Sequence, residues 1–277
     1  MLGQIVAQVR QGKVKGRTVR RPVRLSGKGY FSMKPVELLI EPGPSGDGIV
    51  FNRGLNADIE NADVFNHCTC IGRKSRQVQM VEHFLAACYC LGITDLTVTT
   101  KGNELPFLDG SSGPFVRAFK RAGFMRQKSG PKPLLLSRPV VVEDDGVIAA
   151  LPARILHICC FVRLPGNENV QSFCGRISPF RFEQELAGAR TFGPGPSGRS
   201  LKQIKRALHL RFMLRRHAGF IYPQSERFPN EPCRHKVLDF IGDLALLGRP
   251  LKAKIFIFQP SHRLNLAFVR QLRKITE

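Results

Sequence analysis

The chain has 277 residues, 43% of them hydrophobic, and a formal net charge of +22. That length supports two ordinary domains with buried cores, and that apolar share excludes a disordered chain. The charge is the outlier: no acidic residue precedes Glu37, and a second basic block over 199–216 also contains none. Such a field draws phosphates of any kind (nucleotide, nucleic acid or anionic lipid headgroup) without choosing among them.

Taken in chain order, strand-like runs cover 36–40 and 49–51. Apolar spacing predicts a helix over 81–91, stopped by Gly92 as a C-cap. An alternating strand over 95–100 follows, then a loop ending in Asp109-Gly110, then a helix over 115–122 opened by Pro114. The polar stretch 126–133, with a Gly and two Pro, reads as a linker. Beyond it come strands over 134–142, 147–151 and 155–162. Within 200–216, Leu201, Ile204, Leu208 and Phe212 stand at helical spacing with Lys and Arg between them, predicting an amphipathic helix. A helix over 234–247 stops at Gly248; a strand over 253–258, a turn at Pro260 and a helix over 265–273 close the chain. Helix, Gly stop, strand, loop and helix thus occur twice. Strands and helices are grouped rather than alternating, so the fold class is α+β, with two similar domains over 1–127 and 133–277, each a layered sandwich of helices and sheet.

The longest apolar runs, such as 155–162, are too short to cross a bilayer. The eight cysteines form C-x-C pairs and one adjacent pair, with no C-x-x-C, which argues against a zinc ribbon. No signal-peptide pattern is read at the N-terminus, so reduced thiols in a cytoplasmic protein are expected. The absence of Trp, the three Tyr and the lack of any RNP-like or DNA-binding motif disfavour a nucleic-acid partner. The basic helix over 200–216 is instead a candidate for peripheral contact with an anionic inner-membrane surface.

The chemistry concentrates in two places. His235 and Asp239 are four residues apart and share a helical face, so both can point at one metal ion. His83 is available as a third ligand, and its neighbour Glu82 as a base for water. Two His, one carboxylate and a free Glu meet the needs of a hydrolytic zinc site: three protein ligands, an open position and a base. Iron(II) fits a His/His/Asp set as readily. The candidates fall on one helix per half, which puts the site between the domains, a common place for a catalytic cleft.

Five runs carry a resemblance: Val81-Glu82-His83; Leu105-Pro106-Phe107-Leu108-Asp109-Gly110-Ser111; Ala189-Arg190-Thr191-Phe192-Gly193; Arg234-His235-Lys236-Val237-Leu238-Asp239-Phe240-Ile241-Gly242-Asp243-Leu244; and Ser261-His262-Arg263-Leu264-Asn265. In order and spacing they resemble the zinc-dependent UDP-3-O-acyl-N-acetylglucosamine deacetylases of lipid A biosynthesis, over about 19–272. The resemblance implies two α+β domains and hydrolysis of an N-acetyl amide on an acylated UDP-amino sugar. It implies His83, His235 and Asp239 as zinc ligands and Glu82 as the base that activates water. Thr191 would hydrogen-bond the oxyanion. His262 would stabilise that oxyanion and protonate the leaving amine. Lys236 would face the diphosphate or the developing charge, and Asp243 would orient His262. A monomer is expected.

The pattern also departs from the family. Gly29-Tyr30-Phe31 stands where Gly-Leu-His is usual, Gln259 where a lysine precedes the histidine, and the basic run 211–216 where Gly-Gly-Ser is usual. The insert that lines an acyl-chain tunnel is expected near 163–175, which here is short and polar with Gly166-Asn167-Glu168-Asn169. The loop over 51–81 looks trimmed. Two alternatives therefore stand beside the main reading: a paralogous zinc deacetylase for a different N-acetylated sugar, and a non-catalytic paralogue that binds an anionic ligand.

Overall fold

A computed structural model describes residues 15–276 except 53, 165, 167, 168, 196 and 197. Arg10 and Lys13 of the basic N-terminal run, and Asn167 and Glu168 of the expected insert, lie outside the described residues. Among the described residues the chain forms two five-stranded paths and six α-helices: α1 (Glu82–Leu91), α2 (Gly113–Ala122), α3 (Pro179–Arg181), α4 (Leu201–Ala207), α5 (Glu231–Ala245) and α6 (His262–Thr276).

In the first half the strands run in the order Val23–Lys28, Pro35–Pro42, Leu96–Lys101, Ile49–Phe51, Leu55–Asn56. The central strand Leu96–Lys101 is antiparallel to Pro35–Pro42 and parallel to Ile49–Phe51. In the second half the order is Val140–Glu143, Val147–Pro152, Leu251–Phe258, His157–Arg163, Val170–Arg176. Its central strand Leu251–Phe258 is antiparallel to Val147–Pro152 and parallel to His157–Arg163. The order and directions match, so the twice-occurring pattern of the sequence is a repeat of topology, including the α+β grouping.

Helices lie between the sheets. α1 is buried at nine of its ten positions, because one side meets the first sheet and the other meets α5. Gly92 ends it in the left-handed region (φ 68°), its N–H reaching back to the carbonyls of Cys88 and Tyr89. Phe84 packs edge-on against Phe51, Phe115 and Phe119, and Phe240 packs tilted against Phe268, within a core drawn from both halves. No described helix is long and apolar enough to cross a membrane.

Several expectations are corrected. The strand over 134–142 is two pieces, Leu134–Leu135 and Val140–Glu143, because Leu135 pairs with Lys252 before the chain turns to pair with 147–152. The helix over 200–216 ends at Ala207. A capping box between Ser200 and Gln203 starts it, and His209 (φ 53°) stops it, after which Leu214–His217 pairs with Phe220–Pro223 as a hairpin. The last helix begins at His262, three residues early, with the Ser261 hydroxyl accepting from the Leu264 N–H. The thiols are not all reduced: Cys159 and Cys174, opposed across neighbouring strands, form a disulfide, while the other six cysteines are free and buried. The polar stretch near 163–175 is the hairpin between His157–Arg163 and Val170–Arg176. Between 51 and 81 the chain builds a small sheet of Ala62–Phe65, Cys68–Ile71 and Val78–Gln79.

Candidate metal centre and the cavity beside it

α1 presents Glu82 and His83 in its first turn, and α5 presents His235, Asp239 and Asp243 one turn apart on a single face. The two helices cross at Gly242, where an added Cβ would stand 2.1 Å from the Glu82 carbonyl oxygen. Only glycine allows that approach. It brings His83 Nε2 to 3.6 Å from Asp239 Oδ1, which His235 Nε2 already meets at 3.1 Å from one turn away on α5. One ligand atom from each of the three residues lies within 4.8 Å of the others, and all three residues are buried.

The donor set suits a cation. His235 Nδ1 lies 3.0 Å from the Ala189 carbonyl, which can only accept, so that nitrogen carries a proton and Nε2 is the ring atom turned inward. Asp239 Oδ1 accepts no hydrogen bond although it is fully buried. An unpartnered buried carboxylate oxygen is costly, and a bound cation removes that cost. Burial opposes charge on Asp239, but His235 and Lys236 beside it outweigh that and hold its carboxyl well below the usual range. Burial also lowers His83, against the pull of Asp239, which keeps its imidazole neutral for ligation. The second metal-capable group among the described residues, His157, Cys159 and Cys174, has its sulfurs joined in the disulfide.

Around this set sits a hydrogen-bonded proton system. His262 Nδ1 is 2.9 Å from Asp243 Oδ2, and its Nε2 faces inward, 3.9 Å from Asp239 Oδ2. Burial works against the charged form of His262, yet Asp243, with Asp239 and Glu82, raises it to about 9. Burial pushes Glu82 up to about 8; His262 opposes the rise while Asp239 and Asp243 add to it. Two residues the sequence reading did not assign hold this system in place. The Thr69 hydroxyl donates to Asp243 Oδ1 at 2.5 Å and lies 3.0 Å from His262 Nδ1, while its N–H donates to Glu82 Oε2 at 3.2 Å. Asn265 donates to Asp243 Oδ2 at 2.8 Å.

Thr191 and Lys236 line the cavity onto which Glu82, Asp239 and His262 open. The Thr191 N–H donates to Gly110 O, tying the two halves together beside the site. Next to it, Arg190 forms a buried two-point pair with Glu231 at 2.8 and 2.9 Å, and Glu231 also accepts from the Arg190 and Arg227 amides. Lys236 Nζ is 3.2 Å from Asp239 Oδ2 and stands over the Phe192 ring.

The cavity holds about 920 Å³. Met80, Phe107, Ile204, Leu208, Leu210 and Ile221 form an apolar cluster separate from the main core and line it. The apolar lining expected near 163–175 is supplied in large part by Ile204 and Leu208 of α4, Leu210 and Ile221. The basic composition of that stretch hid this, because Ile204, Leu208, Leu210 and Ile221 face the cavity from between Lys and Arg, of which Arg199 lines it too.

The sequence model of the LpxC family, described as UDP-3-O-acyl N-acetylglycosamine deacetylase, matches residues 16–274. The chain belongs to this family. It is 34% identical over 265 residues to the UDP-3-O-acyl-N-acetylglucosamine deacetylase of Solibacter usitatus (strain Ellin6076), covering 92% of this chain and 90% of that one. To the enzyme of the same name from Aquifex aeolicus (strain VF5) it is 33% identical over 279 residues, covering 93% of each. To that from Myxococcus xanthus (strain DK1622) it is 34% identical over 271 residues, covering 92% and 85%.

Within the family frame the departures have physical places. Tyr30 lines the cavity and stacks on Phe107 at 4.9 Å. Gln259 is turned away, its amide bridging the N–H and carbonyl of Arg163.

Proposed function

We propose that the chain hydrolyses the N-acetyl amide of UDP-3-O-acyl-N-acetylglucosamine, releasing acetate in lipid A biosynthesis. The convergence of His83, His235 and Asp239 beside an apolar-lined cavity carries this reading. These three would hold Zn2+, which supplies Lewis-acid polarisation of the amide carbonyl and acidifies water; Fe2+ fits the same donors. Glu82, in its carboxylate form, takes the proton of the attacking water and is poised to return it. The Thr191 hydroxyl and the His262 imidazolium face the oxygen on which charge develops, each a contact typically worth about 3 kcal/mol. His262, kept cationic by Asp243, gives a proton to the departing amine nitrogen, which an amide needs because its amine is a poor leaving group. Lys236 balances charge beside Asp239 and meets the anionic end of the substrate.

The acyl chain occupies the slot between Phe107 and Leu208, where burial of each CH₂ contributes about 0.8 kcal/mol. With this reading we divide the domains at 127–133 and take the protein as a cytoplasmic monomer without a nucleic-acid partner. The test is acetate release from UDP-N-acetylglucosamine with and without its 3-O-acyl chain. Acyl dependence of kcat/KM supports the assignment. Equal turnover of both substrates would favour a deacetylase of another N-acetylated sugar.

A further inference from the structure

The outer face of the second sheet carries more than half of the exposed large apolar side chains among the described residues. Pairing places Phe161 beside Phe258 and Val147 in one row, and Val141, Ala149 and Phe256 in the next. Leu135, Val141, Leu151, Phe161, Val170 and Phe258 all point outward and are 39–59% exposed. They are six of the eleven exposed large apolar side chains among the described residues. Single exposed hydrophobes need no explanation, but a contiguous sheet face of them marks an interaction surface.

The occupant follows from charge. Lys252, Lys254, Arg163 and Arg176 stand on the same face and around it, with Lys254 lying over the Phe256 ring. The acids Glu143, Asp144 and Asp145 are gathered at the end and turn of the edge strand, where Asp144 and Asp145 pair with Arg263. A second copy of this chain would bring these cations against their like, in a molecule of net charge +22. A surface that is anionic outside and apolar beneath matches both features. Aromatic rings reach into the acyl boundary while long basic side chains keep their charges among headgroup phosphates. The strand Leu251–Phe258 also leads within a few residues to Pro260, Ser261 and Arg263, which line the cavity.

We propose that the outer face of the second sheet, centred on Phe161 and Phe258, docks the protein on an anionic phospholipid bilayer. This goes beyond the catalytic reading and does not depend on it. The experiment is co-sedimentation of the full chain with phosphatidylcholine vesicles, with and without phosphatidylglycerol. It compares wild type, Phe161→Ser/Phe258→Ser, Lys252→Glu/Lys254→Glu, and Lys202→Glu/Lys205→Glu on α4. Binding is expected to require phosphatidylglycerol, to weaken with salt, and to fall about tenfold for each phenylalanine removed. The Lys252/Lys254 variant should also bind less, the α4 variant should bind as wild type, and thermal unfolding and acetate release in solution should be unchanged in all of them. Three results would overturn the proposal: no binding to either vesicle; loss in the α4 variant with the phenylalanine variant unaffected; or a solution dimer that the phenylalanine variant dissociates.

Discussion

The two halves share a strand order and differ in what they place on it. In the first sheet the outward residues are polar, such as Thr97, Thr99 and a Lys101–Glu37 ion pair, while in the second they are largely aromatic and aliphatic. The inner helices differ as well. α1 contributes one turn to the site, Glu82 and His83, whereas α5 contributes three positions and α6 a fourth. The halves share a scaffold and use matching positions unequally: in the proposed mechanism one half supplies a base and a ligand, the other a ligand pair and the proton-holding histidine.

That inequality can be broken at its narrow side first. Glu82→Gln should lower kcat by roughly a hundredfold to ten-thousandfold while leaving metal content intact, whereas His83→Ala should lose the metal itself. Elemental analysis beside a turnover assay separates the two. On the other half, Glu231→Gln leaves Arg190 buried without its partner and should cost about 3–5 kcal/mol in denaturant unfolding. Burial opposes ionisation of Glu231, yet Arg190 and two amides outweigh it, so the folded pKa is lowered. Its stabilisation is therefore full above the unfolded value of about 4.3 and is lost as pH falls through the depressed folded value. The difference between wild type and variant should close on acidification below that range.

At the crossing of the halves, Gly242→Ala should destabilise by about 1–3 kcal/mol and weaken metal retention, read as thermal unfolding with and without chelator. A smaller effect is expected from Asp243→Asn. It removes the anion that raises His262, so the alkaline limb of kcat/KM should move to lower pH. Smallest of all, Lys101→Ala on the polar sheet face should leave the melting temperature unchanged, because both partners of its ion pair stand in water.

Much of this was legible along the chain. The 3.6-residue spacing and glycine stops marked α1 and α5, and His235, Asp239 and Asp243 one turn apart announced a shared face. What was hidden depends on distance or on facing. Thr69 meets Asp243 across 174 residues, and Glu231 meets Arg190 across 41, with no local pattern to mark either. Val170–Arg176 read as a polar loop because its inward side offers only Phe173, Gly175 and a half-buried Gln171, while Ser172 and Arg176 face water. The run 155–162 read as an apolar strand with no indication of which face is covered; the assembled sheet shows that the side with Phe161 is exposed.

The most direct test of the central claim measures zinc content and acetate release on the same samples of wild-type and His83→Ala protein, with UDP-3-O-acyl-N-acetylglucosamine as substrate. A site shared between the halves predicts stoichiometric zinc and turnover in the wild type, and loss of both together in the variant. Turnover that survives zinc removal, or survives the loss of His83, would contradict it.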